Sequence, residues 1–213
     1  MLAGLTAAQE HVSFPTQDGW IVHGDLYGAG ARGVVLAHGG RFNKGSWEEQ
    51  ARVLVKAGFR TLAIDFRGLG ESRSGAQTFR TDERRHFDVL AAVHYLRKTG
   101  AKTVSVIGAS MGGDYAAEAS EAEPSEIDRV VLLAAGAYTT LRRTTGRKLY
   151  IISRDDVMGE NTPRLPKIRE QYEKARGPKE LVLLEGSAHA QFIFQTDQGE
   201  RLMHEILRFL SEP

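Results

Sequence analysis

The chain has 213 residues, 28 Lys+Arg against 27 Asp+Glu, and no cysteine. That length suits one α/β domain with a substantial core, so a single domain is expected over residues 1–213. The near-zero net charge gives no reason to expect a nucleic-acid partner, and the absence of thiols excludes disulfides, thiolate zinc sites and a cysteine nucleophile.

The opening MLAGLTAAQEHVSFP lacks a basic start followed by a long apolar run. It is a poor signal peptide, and no stretch is apolar enough to span a bilayer. A cytoplasmic chain with no membrane partner is the expectation. HVSFPT and WIVHGDLYG flank a turn at Asp18-Gly19 and read as a hairpin. GVVLAHGG is a buried strand that ends in glycines. SWEEQARVLVKAG reads as a helix, with Ser46 as N-cap, Glu49 three residues on and Gly58 as its stop. FRTLAIDFRG is a further strand, and GLGESRSGAQTFRT, residues 68–81, a polar loop. A helix follows from about Asp82 to Lys98, with Val89, Ala92, Val93 and Leu96 at helical spacing.

The alternation continues through KTVSVIG (strand), MGGDYAAEASEAE (helix), DRVVLLAAG and KLYIIS (strands). TPRLPKIREQYEKARG holds a helix whose start is blurred by Pro163 and Pro166. KELVLLEG is a strand, and GERLMHEILRFL closes the chain with Leu202, Ile206 and Leu210 on one face. A hairpin followed by strand–helix alternation predicts an α/β fold, with a mostly parallel sheet and helices on both faces.

Four loops at strand ends carry chemistry. GASMGG matches G-x-S-x-G from Gly108 to Gly112, between a strand and a helix. On such an elbow Ser110 takes a strained conformation, small neighbours let strand and helix pass closely, and the Met111 N–H points at a substrate oxygen. LAHGG, residues 36–40, ends an earlier strand. Its flexible backbone offers a second N–H, from Gly40 or next from Arg41, while His38 reads as a scaffold residue. In IISRDDVMG, Asp155 and Asp156 follow a strand, and the spacing favours Asp156 as the acid that orients an imidazole. In LLEGSAHAQF, His189 lies on a loop of small residues. His11, His23, His86, His94 and His204 all fall in or beside predicted strands or helices, which leaves His189 as the candidate base.

The order Ser110, Asp156, His189 resembles that of the α/β-hydrolase family, as do HGG, GASMGG and the late GSAH loop. DFRGLGES, residues 65–72, is similar to the family's D-x-R-G-x-G-x-S loop. The resemblance runs from the hairpin to the last helix. It implies an α/β-hydrolase fold, a serine nucleophile and an oxyanion hole. Only a dozen or so residues separate DRVVLLAAG from KLYIIS, where many relatives insert a helical cap, so an uncapped member of dienelactone-hydrolase-like size is expected. Those relatives commonly use cysteine, and here Ser110 would have to serve.

The expected function is a cofactor-free and metal-free serine hydrolase of small carboxylic esters, with a small-molecule acyl substrate. Ser110, Asp156 and His189 are the candidate triad, and the Met111 and Gly40 amides the candidate oxyanion donors. Arg41, Phe42, Tyr138 and Phe192, with Trp47 and Phe79 in or near the same loops, are candidates to contact the substrate. A peptidase, amidase or thioesterase with the same triad is the alternative, and a non-catalytic binding protein on the same fold is the alternative from another class.

Overall fold

The computed structural model describes residues 9–73, 84–136 and 138–212. It opens with a hairpin, β1 (Gln9–Pro15) and β2 (Ile21–Tyr27), paired antiparallel from Gln9↔Tyr27 to Pro15↔Ile21. The turn closes where expected, with Gly19 at φ +84° and the Thr16 N–H donating to the Trp20 carbonyl at 2.8 Å. Positive φ is cheap only for glycine, which is why Asp18-Gly19 sits there.

The strand–helix run follows as β3 (Arg32–Ala37), α1 (Glu48–Lys56), β4 (Arg60–Ile64), α2 (His86–Lys98), β5 (Thr103–Ala109), α3 (Met111–Ala122), β6 (Arg129–Leu133) and β7 (Arg147–Ser153). A two-residue hairpin, β8 (Val157–Met158) with β9 (Thr162–Pro163), precedes α4 (Leu165–Lys174), β10 (Lys179–Leu184) and α5 (Gly199–Ser211).

The main sheet has eight strands in the order β1-β2-β4-β3-β5-β6-β7-β10. Pairings from β4 to β10 are parallel, and those at β1–β2 and β2–β4 antiparallel. The path β3→β4 runs one way across the sheet and β4→β5 runs back past β3. Right-handed crossovers therefore place α1 on one face and α2 on the other. α3 joins α2, and the two helices pack against each other. The central strands are covered on both sides, so Val34, Val35, Leu36, Val106, Val131, Leu132 and Ile152 lose essentially all solvent contact. That double burial explains their continuous apolar runs.

Several local expectations need correction. A 3-10 turn at Lys44–Trp47 precedes α1, and Asn43, not Ser46, caps it by accepting from the Gly45 N–H. Ser46 instead donates its hydroxyl to the Asn43 carbonyl at 2.6 Å. Pro166 lies in the first turn of α4, where a missing N–H leaves no bond unmade, and Pro163 belongs to β9. Phe79, Asp82 and most of the loop at 68–81 lie outside the described residues.

The described part of that loop is a latch. Asp65 accepts from the amides of Lys44 and Glu71, each at 2.8 Å. Ser72 Oγ donates to the Asp65 carbonyl and accepts from the His23 N–H, and the Ser72 carbonyl takes the Trp20 indole N–H. Arg67 reaches Asp88 through Nε at 2.8 Å and Asp18 through its two terminal nitrogens. These bonds fasten β4, the opening hairpin and α2 together below the edge where the loops gather. Thirteen residues (134–146) join β6 to β7, and no helix or strand lies among those described.

Candidate active site

Parallel registers bring the relevant strand ends to one level. Ala37 pairs with Gly108, Ala109 with Leu133, Leu133 with Ile151, and Leu184 with Ser153. The residues that follow therefore meet along the carboxyl edge of the sheet, where folds of this kind hold their sites.

Ser110 sits between β5 and α3 at φ 49° and ψ −119°, a conformation that a side chain rarely adopts. Three glycines permit it. A Cβ on Gly108 would stand 2.5 Å from the Gly112 carbonyl oxygen, and one on Gly112 2.3 Å from that of Ala37. A Cβ on Gly113 would meet the Ala135 methyl at 2.3 Å. Strand and helix thus cross too closely for any larger residue. The strain is retained because the surroundings over-determine it.

His189 follows β10, and its Nε2 lies 2.8 Å from Ser110 Oγ. Its Nδ1 lies 2.7 Å from Asp156 Oδ2. Asp156 is buried to 1% exposure, whereas Asp155 faces solvent. Arg164 donates its backbone N–H to the Asp156 carbonyl at 2.9 Å, and its Nε stands 3.4 Å from Asp156 Oδ2. The loops after β7 and β10 are stitched together: Ser153 Oγ donates to the Ala188 carbonyl at 2.7 Å and the Asp155 N–H to that of Gly186 at 3.0 Å.

A cleft of about 410 Å³ opens over Ser110, lined by Gly39, Gly40, Arg41, Phe42, Met111, Val157, His189, Ala190 and Phe192. A larger groove of about 460 Å³, bordered by Glu48, Glu49 and Gln195, lacks this chemistry. Neither the Gly40 nor the Met111 N–H donates to an acceptor among the described residues. Met111 opens α3, where an N–H has no partner within the helix and the dipole favours negative charge. His38 is buried and stays out of the cleft. Its Nδ1 donates to the Gly39 carbonyl at 2.8 Å, and burial depresses its pKa from the ordinary 6.5, so the ring is neutral.

The substrate-contact candidates divide. Phe42 and Phe192 face the cleft as a tilted ring pair with centroids 5.1 Å apart, and Arg41 is beside them. Tyr138 does not join them: it is 64% exposed and carries the Lys167 ammonium 4.0 Å above its ring. Trp47 is a core residue, edge-on to Phe194. Val157 was not foreseen as a lining residue. The β8–β9 hairpin lifts it onto the rim, and nothing in a two-residue strand announces itself in sequence. Gln191 does not line the cleft, but it accepts from the Gly39 N–H behind it, a contact the sequence reading does not anticipate. Its signal was a single amide within the apolar run AQFIF directly after the histidine.

Known proteins share this fold. The sequence profile of the family described as alpha/beta hydrolase fold matches residues 33–193. The Bacillus subtilis AB hydrolase superfamily protein YisY is 31% identical over 136 residues, which cover 63% of this chain and 46% of YisY. The chain thus spans about half the length of that relative. The rat protein named "Putative protein-lysine deacylase ABHD14B" is 27% identical over 84% of each chain. Among solved structures, the Pyrococcus furiosus esterase Pf2001 superposes with a TM-score of 0.79 at 21% identity, over 97% of this chain and 93% of that one. The matched profile covers the strand of the HGG loop, the serine elbow, the acid loop and the histidine loop, and the chain belongs to the alpha/beta hydrolase fold family.

Proposed function

We propose that the protein is a serine hydrolase of small carboxylic esters. The observation that carries this reading is the unbroken run from Asp156 through His189 to Ser110, at 2.7 and 2.8 Å, at the floor of an open cleft. Ser110 Oγ attacks the acyl carbonyl while His189 Nε2 takes its proton. Asp156 holds the imidazole by Nδ1 and stabilises its cation. The carbonyl oxygen gains negative charge and is met by the N–H groups of Met111 and Gly40, a contribution of about 3–4 kcal/mol for each donor. His189 returns the proton to the leaving alcohol, and then activates water to release the acid from Ser110. Phe42, Phe192 and Val157 supply apolar walls, and Arg41 places a positive charge at the rim.

The same machinery cleaves amides, and the similarity to the rat protein supports an acyl-lysine substrate as the second reading. The thirteen-residue β6–β7 connection leaves room for an acyl group carried on a large molecule. A fluorophosphonate probe, followed by identification of the labelled residue, tests the shared chemistry. Label on Ser110, absent in Ser110→Ala, is expected. A folded protein that takes no label at Ser110 would sink both readings. Nitrophenyl esters of rising chain length, set against an acetyl-lysine anilide, then separate ester from amide.

A further inference from the structure

We propose that Gln191 is a positioning residue that aims the Gly40 N–H into the cleft and ties that donor to the histidine loop. The inference rests on the hydrolase reading above and adds a residue to it.

Gln191 stands two places after His189, in a 3-10 turn spanning Ala190–Gln195, and is only 5% exposed. Its Oε1 accepts from the Gly39 N–H at 2.8 Å, and its Nε2 donates to Ser46 Oγ at 2.8 Å. The Gly39 carbonyl is held from its other side, by His38 Nδ1 at 2.8 Å and by the Phe42 N–H at 3.0 Å. Both peptide groups that flank Gly39 are therefore pinned. A glycine would otherwise sample a wide range of φ and ψ, and the loop would lose its direction.

The geometry of the next peptide does the rest. No cis bond occurs among the described residues, so the Gly40 N–H points opposite to the Gly39 carbonyl. With that carbonyl turned toward His38 and Phe42, the N–H faces the cleft that Gly40 lines. An oxyanion donor is useful only when it is held in place before charge develops. Ala190, between His189 and Gln191, sits at φ 52° without being glycine. The buried anchor at Gln191 is what the strained turn is fastened to. Base and oxyanion donor thus share one brace.

The test uses the full chain with Gln191→Met, which keeps length and volume but removes both bonds, and Ser46→Ala, which removes the bond from Nε2 and the Ser46–Asn43 bond but leaves the Gly39 bond in place. For Q191M, kcat on nitrophenyl acetate is expected to fall about 10–100-fold with KM within about threefold of wild type. The Ki of a trifluoromethyl ketone, which forms a hemiketal oxyanion on Ser110, should rise by the same factor. Ser46→Ala should lower kcat by no more than about threefold, since the Gly39 bond remains. A tether that only supports the fold would move Tm in both variants and leave the split between kcat and KM untouched. Should Q191M not fold, Gln191→Asn replaces it. Its amide stays polar but is one methylene too short to hold both the Gly39 N–H and Ser46 Oγ, and the same joint loss is expected.

Amide NMR of the resting protein provides a readout that needs no turnover. Q191M should speed hydrogen exchange at Gly39 and shift the Gly40 resonance. If the wild type neither turns over ester nor takes the fluorophosphonate label, the hydrolase reading fails by itself. If the wild type is active, but Q191M keeps kcat, inhibitor affinity and the Gly40 resonance near wild type, the positioning role is overturned.

Discussion

Asp155 and Asp156 are neighbours that face opposite ways. Asp156 is buried and bonded to His189 Nδ1 at 2.7 Å, while Asp155 is exposed and uses only its backbone N–H, on Gly186. The difference predicts separable variants. Asp156→Asn should lower kcat by about 10⁴-fold, because a neutral amide no longer selects the productive tautomer or balances the imidazolium. Asp155→Asn should stay within about twofold of wild type, as surface changes usually do. Steady-state kinetics on one nitrophenyl ester checks both, and retained activity in Asp156→Asn would refute the assignment of the acid.

Gly112→Ala should be among the most damaging single-methyl changes in this chain. The added Cβ would lie 2.3 Å from the Ala37 carbonyl oxygen and 2.6 Å from that of His38, and both are backbone atoms at the root of the HGG loop. Neither can swing aside as a side chain would. Overpacking of this kind costs about 1–3 kcal/mol or more. Urea unfolding should show the loss, and any folded fraction should react more slowly with fluorophosphonate.

Arg67→Met should destabilise the protein by about 3–5 kcal/mol near neutral pH, because it strands a buried carboxylate. Asp88 is fully buried and accepts from Arg67 Nε. Burial raises the Asp88 pKa, with Arg67 opposing that effect, whereas the hydrogen bond from Arg67 pulls Asp18 from 3.8 down to about 2. Without the guanidinium, Asp88 can escape its penalty only by taking a proton. Asp18, for its part, loses a stabilisation that exists above its unfolded value of 3.8 and vanishes as pH falls through about 2. The Asp88 part of the gap between Arg67→Met and wild type should therefore narrow from pH 7 to pH 4, while the Asp18 part holds until the pH falls below 3.8. A gap of constant size over that range would contradict this account.

His38 predicts a second acid sensitivity. Burial lowers its pKa below 6.5, so the unfolded chain binds the proton first. Its contribution is complete above 6.5 and is lost as pH falls below that value, with a slope of at most about 1.4 kcal/mol per pH unit. Protonation also ends the role of Nε2 as acceptor toward the Phe66 N–H. Denaturant midpoints measured from pH 8 to pH 5 should fall more steeply in wild type than in His38→Asn.

The sheet, its antiparallel start and the order of its helices were legible in sequence because the signals are long. Seven-residue runs such as KTVSVIG read as strands, and the elbow glycines read as a close crossing. Short-range signals misled where a distant residue intervened. Ser46 followed by Glu49 resembles a capping pair, but Asn43 caps the turn and Gln191 takes the Ser46 hydroxyl from 145 positions away. Val157 reaches the cleft only because a two-residue hairpin lifts it. Tyr138 is close to the other aromatic candidates in the order of loops, but its ring pairs with Lys167 on the surface. Local patterns carry elements well, and they carry poorly any contact whose partner lies on another loop.

The backbone of Ser110 has a further consequence. Its φ of 49° is one that glycine accepts freely and serine does not. Replacing this residue with glycine should therefore give a protein that unfolds at higher denaturant while taking no label. Selection that rewarded only durability would have removed the hydroxyl. Under the hydrolase reading proposed above, its presence at a strained point of the backbone is a trade of durability for reactivity.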